Sequence, residues 1–471
     1  MRFQPTASLA ALASRQLKRV PLGGKALEAE DAMVSSQPKK LTRRDFLKLM
    51  GVAGGGLVLS ACAPVSAPTP TPAPSATLLP TATATPTSTP TTTPTPTSTA
   101  TPTSTPTAPP TPKHPETLRD YADALGIEFG GGTAIGYFQD WHPEHNQIKP
   151  FFMQNFNLFQ NCWDGLWTNP YNPLRPSKND FDFSMMDLFV SFVRRNNLRS
   201  QILHLVWGHK SNIPDWLMKG SFTETELLDI LQNHIQTVVS RYKGQISAWS
   251  VVNEILGTPW EKGNRFWYDH LDKKLDWVKK CFEWAHEADP NAVLFLNDFG
   301  IEFPGFYIYD LERDDFIYKL IRDMKEKGIP IHAVGFQMHL NASKNFVPEA
   351  NIASLMDALY RNIEKYRGLG IDVYVSEFDC VLSGLQGTLD DKYALQAKIY
   401  GSVLDTCLAA GVKSFTVFNL IDRLSWLESP ENPPYSGKDA DPCPWDDNYQ
   451  PKPAYFAILD VMKRHYAQKV R

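Results

Sequence analysis

The sequence predicts an α/β fold, a (β/α)8 TIM barrel over residues 114–471, preceded by a signal region at 1–62 and a disordered Pro/Thr-rich linker at 63–113. Three observations carry this reading. Eight short, β-rich apolar runs recur after residue 114, amphipathic helical stretches separate them, and several runs end in polar or ionisable residues. Strands that alternate with helices imply βαβ units and a parallel sheet, and eight units in about 355 residues point to a closed barrel with enlarged loops. The competing architecture, a doubly wound open sheet, lacks support because no GxGxxG follows a strand.

The bulk composition agrees with a globular chain. Hydrophobic residues make up 42% and charged residues 21% of 471, which excludes a disordered or fibrous class for the whole. A net charge of -4 gives no reason to expect nucleic acid or an anionic membrane surface as partner. Six cysteines (Cys62, Cys162, Cys281, Cys380, Cys407 and Cys443) form neither a CxxC pair nor a zinc-like cluster. No structural metal site is therefore expected; no cofactor is expected either. Twelve tryptophans are available for core packing or for stacking on sugar rings, whose C–H faces are apolar.

The N-terminal region reads as an address and a tether. Thr42-Arg43-Arg44-Asp45-Phe46-Leu47-Lys48 resembles a twin-arginine export signal. The uncharged run Leu49–Ala61 follows; its 13 residues suit a signal segment, whereas a membrane-spanning helix needs about 20. It ends in Leu59-Ser60-Ala61-Cys62, which resembles a lipobox with Cys62 as the lipidated residue. The long stretch before the arginines makes Met33 an alternative start. From Ala63 to Pro112 the chain is almost entirely Pro, Thr, Ser and Ala, with no apolar surface to offset its ordering. In extended polyproline form it would reach roughly 150 Å at ~3.1 Å per residue. The expected product is exported and held by lipid at the cell surface or the outer face of a membrane.

The eight strands are expected, in order, at Ile127–Ile135, Phe156–Cys162, Gln201–Trp207, Ile246–Glu254, Ala292–Phe299, Ala333–Leu340, Val373–Asp379 and Ser414–Ile421. Helices are expected between them, for example over Thr223–Tyr242 and over Lys273–Ala288, the latter stopped by Asp289-Pro290. In a barrel of this kind chemistry gathers where strands end at the C-terminal face. The fourth run ends in Asn253-Glu254, the sixth carries Gln337 and His339, and the seventh carries Glu377 and Asp379. Two glutamates on non-adjacent strands, each beside hydrogen-bonding neighbours, are candidates for paired acid/base work. The isolated His142 and His145 read as loop or core residues.

These residues resemble glycoside hydrolase family 10, the endo-1,4-β-xylanase family, over roughly Leu118 to Ile458. Trp249-Ser250-Val251-Val252-Asn253-Glu254 is similar to the acid/base strand, Val334–Leu340 to the strand whose Gln and His flank the nucleophile, and Val375-Ser376-Glu377-Phe378-Asp379 to the nucleophile strand. Asp422-Arg423-Leu424-Ser425-Trp426 resembles the loop that places a Trp over the cleft, and Pro451–Tyr455 the closing segment. The resemblance implies a retaining hydrolase of internal β-1,4 bonds in xylan, with Glu254 as general acid and then base and Glu377 as nucleophile. It implies substrate contacts from Asn253, Gln337, His339, Trp426, Trp207 and His209; for the last two, rim or loop packing stays open. The expected partner is a polysaccharide and the expected state a monomer.

Several sugar-binding positions depart from the family pattern. The usual Thr-x-Glu-Asn-x-x-Lys-Trp becomes Gln160-Asn161-Cys162-Trp163-Asp164-Gly165-Leu166-Trp167, so only Trp167 matches. The usual His-Thr-Leu-Val-Trp-His becomes Leu203–His209 with the first His lost and the second displaced, and Trp-Gly on the eighth strand becomes Phe418-Asn419. Hydrolysis of another β-glycan, or glycan binding without catalysis by a surface lipoprotein, therefore stays open. After Cys62 five cysteines remain, among which Cys380 and Cys443 are placed to meet near the rim.

Overall fold

The computed structural model describes residues 115–169, 172–257, 264–304, 313–428 and 440–471. The twin arginines, Cys62 and the Pro/Thr-rich stretch lie outside the described residues. Eight parallel strands close on themselves: β1 Glu128–Thr133, β2 Leu158–Asn161, β3 Arg199–Ile202, β4 Ala248–Asn253, β5 Val293–Asp298, β6 Ala333–Phe336, β7 Asp372–Val381 and β8 Ser414–Phe418. Each pairs with the next, and β8 pairs with β1 through Glu128↔Ser414 to Gly132↔Phe418. Every expected run overlaps one of these strands; β3 begins two residues before the third run, and β7 extends past both ends of the seventh.

Two runs are interrupted. After β3 the chain leaves the ladder and rejoins it at Val206–Trp207, opposite Val252 and Asn253. After β6 it rejoins at His339–Asn341, opposite Asp379 to Val381. The interruptions carry His204 and Gln337, polar side chains that bond across the barrel mouth rather than along the strand. Each break thus lifts a functional side chain out of the pleat.

The core has two parts. Between sheet and helices lie residues such as Val251, Leu294, Val334, Val373 and Val375. Inside the barrel, Ala248, Phe295, Ala333 and Tyr374 form one cluster with Cys162, Leu203 and Phe418. The strands are accordingly buried on both faces, with few exposed positions. Helix Glu224–Arg241 begins at Thr223, whose hydroxyl accepts from Glu226 N while Glu226 bonds back to Thr223 N, a capping box that fixes its start. Helix Asp276–Ala288 ends before Pro290, as the sequence predicts.

A short helix, Leu118–Leu125, precedes β1. Arg119 donates to the carbonyls of Met153, Asn196 and Asn197, and Asp123 accepts from Asn157 Nδ2 at 2.8 Å. These partners sit where helices end and strands begin, so the helix lies at the N-terminal end of the barrel. The closing helix Pro453–Lys469 secures it: Lys469 Nζ donates to the carbonyls of Ala124 and Leu125 at 3.0 and 2.8 Å, and Tyr466 packs edge-on against Tyr121.

At the opposite end, the chain beyond β8 is pinned by a buried ion pair. Lys452 Nζ lies 2.9 Å from Asp422 Oδ2 and also donates to the Asp441 carbonyl at 2.8 Å. Lys452→Met leaves the Asp422 carboxyl buried without its cation and is expected to lower the unfolding free energy by about 3 kcal/mol. Burial holds that carboxyl up at about 7 even with the ammonium present. Without it, folding takes up a proton, so the loss should be larger at pH 8 than at pH 6. Urea unfolding at both pH values checks this, and an equal loss at both would contradict it.

The five described cysteines are all buried and free. This corrects the expected pairing of Cys380 with Cys443. The two segments do meet, since Cys380 N donates to Pro442 O at 3.1 Å. The Cys443 thiol, however, points to the Phe418 carbonyl at 3.8 Å, while Cys380 packs in the core outside β7.

Candidate active site

Glu254 follows the last residue of β4 with φ at 49°, in the left-handed region that a side chain rarely adopts. Such a backbone costs of order 1–3 kcal/mol and persists when its surroundings fix it. Here its N–H is tied to Asn297 O at 3.1 Å. The carboxyl is held at both oxygens: Trp207 Nε1 donates to Oε2 and Gln337 Nε2 to Oε1, each at 2.9 Å.

Glu377 lies within β7 and is 5% exposed. Asn297 Nδ2 donates to its Oε1 at 2.7 Å, and His339 Nε2 stands 3.4 Å from its Oε2. The Asn297 amide is oriented by Ser376 Oγ, which donates to its Oδ1 at 2.6 Å. It also needs a bare neighbour, because a Cβ on Gly335 would fall 2.1 Å from Asn297 Oδ1. Behind His339, Nδ1 meets Asp379 Oδ2 at 2.9 Å, and Asp379 accepts in turn from Trp426 Nε1 at 3.2 Å.

The two carboxyls are joined through amides. The Asn253 amide lies 3.0 Å from Asn297 Nδ2 and 3.3 Å from Gln337 Nε2, and Gln337 holds Glu254. Four strands therefore set one relative position for Glu254 and Glu377.

Electrostatics separate their protonation. Burial is the largest influence on Glu254, and the charges of Asp298 and Glu377 push the same way; the hydrogen bonds from Gln337 and Trp207 offset only part, leaving it at about 7 against an ordinary 4.5. Burial also pushes Glu377 upward, but the hydrogen bond and charge of His339 and the Asn297 amide outweigh it and hold the group below 4.5. His339 itself, despite burial, is held well above its ordinary range by Asp379 and Glu377, so it is an imidazolium at neutral pH. Near pH 6 the site thus carries a protonated carboxylic acid facing a carboxylate, the arrangement that acid and nucleophile need.

Of the candidate residues, Glu254, Glu377, Asn253, Gln337, His339, Trp207 and Trp426 come together. Trp207 turns its indole N–H to Glu254, and its ring stacks on His209 at 4.8 Å. His209 also bonds Ser211 Oγ at 2.6 Å and stands at the outer edge. Trp426 packs edge-on against His339, ring centroids 5.2 Å apart. Asn297 is a member of the site absent from the sequence reading; the polar pair Asn297-Asp298 closing the fifth run was its signal. His204 is another: its Nδ1 bonds Ser250 Oγ at 2.8 Å, burial lowers it to about 4, and it lies close enough to feel Glu377. Cys162, Leu203 and Phe418, which depart from the family pattern, form one apolar floor beside these groups. Among the described residues no group of three His, Cys, Asp or Glu side chains could hold a metal ion.

Comparison with known proteins agrees with this geometry. Residues 119–461 match glycosyl hydrolase family 10. Endo-1,4-beta-xylanase B of Thermotoga neapolitana is 28% identical over 358 residues, covering 75% of this chain and 93% of that protein. A beta-1,4-xylanase of Dictyoglomus thermophilum is 30% identical, covering 73% of this chain and 89% of that one. Among solved structures, xylanase 10B from Thermotoga petrophila in complex with xylobiose superposes with a TM-score of 0.64 at 29% identity, covering 75% of this chain and 99% of that one.

Proposed function

The chain belongs to glycosyl hydrolase family 10, and from that premise we propose that it hydrolyses internal β-1,4 bonds of xylan with retention, Glu377 acting as nucleophile and Glu254 as acid and then base. The observation that carries the roles is the opposed protonation of two carboxyls held by one amide network. Glu377 attacks the anomeric carbon while Glu254 gives its proton to the departing glycosidic oxygen. The product of this step is a glycosyl ester on Glu377. Esterification removes a negative charge beside Glu254, so the latter's proton affinity falls. Glu254 can then take a proton from water as that water attacks the ester-bearing carbon, which regenerates both groups. His339, positively charged between Asp379 and Glu377, favours the leaving carboxylate in this second step. Asn253 and Asn297 are placed to meet the sugar hydroxyl nearest Glu377.

The pH profile on xylan tests the assignment. Activity requires Glu377 ionised and Glu254 protonated, so kcat/KM should climb with pH on the acid side, where Glu377 ionises below the ordinary carboxylate range, and fall as pH passes about 7. An enzyme equally active at pH 6 and pH 9 would exclude Glu254 as the acid. A second reading, another β-linked glycan as the preferred substrate, is favoured by the apolar floor of Cys162, Leu203 and Phe418. Product profiles on xylan and mixed-linkage glucan separate the two.

For the N-terminal region we propose twin-arginine export and a lipid anchor at Cys62. The supporting features are Arg43-Arg44, the uncharged run to Ala61 and the Leu59–Cys62 segment. In a bacterial host Cys62→Ser is expected to move the enzyme from the membrane fraction to the soluble one; unchanged membrane association would refute the anchor.

A further inference from the structure

Twelve tryptophans occupy this chain, and among the described ones two stand out by exposure: Trp141 at 42% and Trp163 at 38%. Others near the mouth are engaged, Trp207 on Glu254, Trp426 on Asp379 and Trp167 on the Leu205 carbonyl. Neither indole N–H of Trp141 or Trp163 has a hydrogen-bond partner among the described residues. Both residues leave the C-terminal ends of neighbouring paired strands, Trp163 two residues beyond β2 and Trp141 eight beyond β1. They therefore share the catalytic face and one side of it.

The backbone of Trp163 is fixed while its side chain stays partly exposed. Its N–H bonds Asn161 Oδ1 at 3.2 Å, and its carbonyl accepts from Leu166 N and Asn169 Nδ2, each at 3.2 Å. Asp164, next in sequence, ties this turn to the β1 loop by accepting from Ile135 N at 2.8 Å. A pinned backbone that holds a partly exposed indole on the catalytic face suits a ligand surface, since an indole can stack on an apolar sugar face. What lies beside it is equally apolar. Cys162 precedes Trp163, joins Leu203 and Phe418 in the floor, and its thiol feels the Glu377 charge. Phe418 packs against His339 at 5.5 Å between ring centroids. The strand-2 side of the nucleophile thus offers a sugar few hydrogen-bonding partners.

We propose that Trp163 and Trp141 form an aromatic edge that holds the polysaccharide by ring-face stacking, Trp163 beside the apolar floor and Trp141 farther along the chain. This edge sets specificity by pyranose shape and chain length rather than by hydroxyl pattern. It rests on the reading of the site as a glycan hydrolase.

The test measures binding and turnover separately. In a Glu254→Gln background, titration calorimetry with xylohexaose should show Trp163→Ala weakening binding about tenfold and Trp163→Phe restoring most of it. In the otherwise native enzyme, Trp163→Ala should raise KM for xylohexaose and soluble xylan with kcat unchanged. Trp141→Ala should raise KM for soluble xylan and leave xylohexaose unaffected. Unaltered xylohexaose affinity in Trp163→Ala overturns the proposal, as does a loss confined to kcat. Absence of xylan hydrolysis by the parent enzyme would instead refute the proposed reaction, and the binding titration would still decide the role of Trp163.

Discussion

Glu377→Ala should reduce kcat on xylan by roughly 10⁴–10⁶ while the fold stays intact, because the covalent intermediate can no longer form. The fold is expected to survive for a structural reason. The groups around Glu377 retain partners without it: Asn297 keeps Ser376, and His339 keeps Asp379. The space left by the carboxylate faces the anomeric carbon of a bound sugar. Azide can occupy it, attack from the same side and restore turnover, giving a glycosyl azide of inverted anomeric configuration. Assignment of the anomeric configuration of that product by its H1–H2 coupling in proton NMR is the decisive measurement. Azide rescue with retained configuration, or full activity without azide, would show that the nucleophile is another group.

Glu254→Ala should separate substrates by their leaving groups. With xylan, whose leaving alkoxide needs a proton, kcat is expected to fall about 10³-fold or more. With an aryl glycoside carrying an acidic phenol, the first step needs no proton and a glycosyl-enzyme should accumulate as a burst. The descending limb of the pH profile near 7 should vanish in the same variant, since the group that titrates there is gone. Equal losses on both substrates would mean that Glu254 positions sugar rather than moves protons. Gln337→Ala is informative beside it: it removes one of the two hydrogen bonds to Glu254 and leaves the one from Trp207.

The barrel and its two glutamates were legible because they depend on short-range pattern. Apolar runs of strand length alternate with helical stretches, and the ends of the fourth and seventh runs carry carboxyls. What connects those carboxyls was not legible to the same degree. Asn297 acts only because Gly335 on the next strand leaves room and Ser376 on a third fixes its amide, a juxtaposition of three strands. His204 was passed over for a related reason. The expected histidine is replaced by Leu203, and only the break between β3 and Val206 reveals that the following imidazole turns inward. The indole of Trp207 shows the limit of residue type as a guide. Its position invites a stacking role, whereas its N–H in fact anchors the general acid, a choice made by the distance to Glu254 across the sheet. Cys380 and Cys443 illustrate the converse, since segments in contact can still direct their thiols apart.

The helix Leu118–Leu125, bound by Arg119 and Lys469 at the foot of the barrel, has a consequence for anything joined upstream. The point where the described chain enters the barrel is remote from the mouth, so a carrier or a bead fused upstream is expected to leave the cleft unobstructed. A polymer too large to diffuse can then be approached side-on by many immobilised copies at once. For engineering, the N-terminal side is the natural point of fusion, and cargo added there should leave turnover of even insoluble substrate intact.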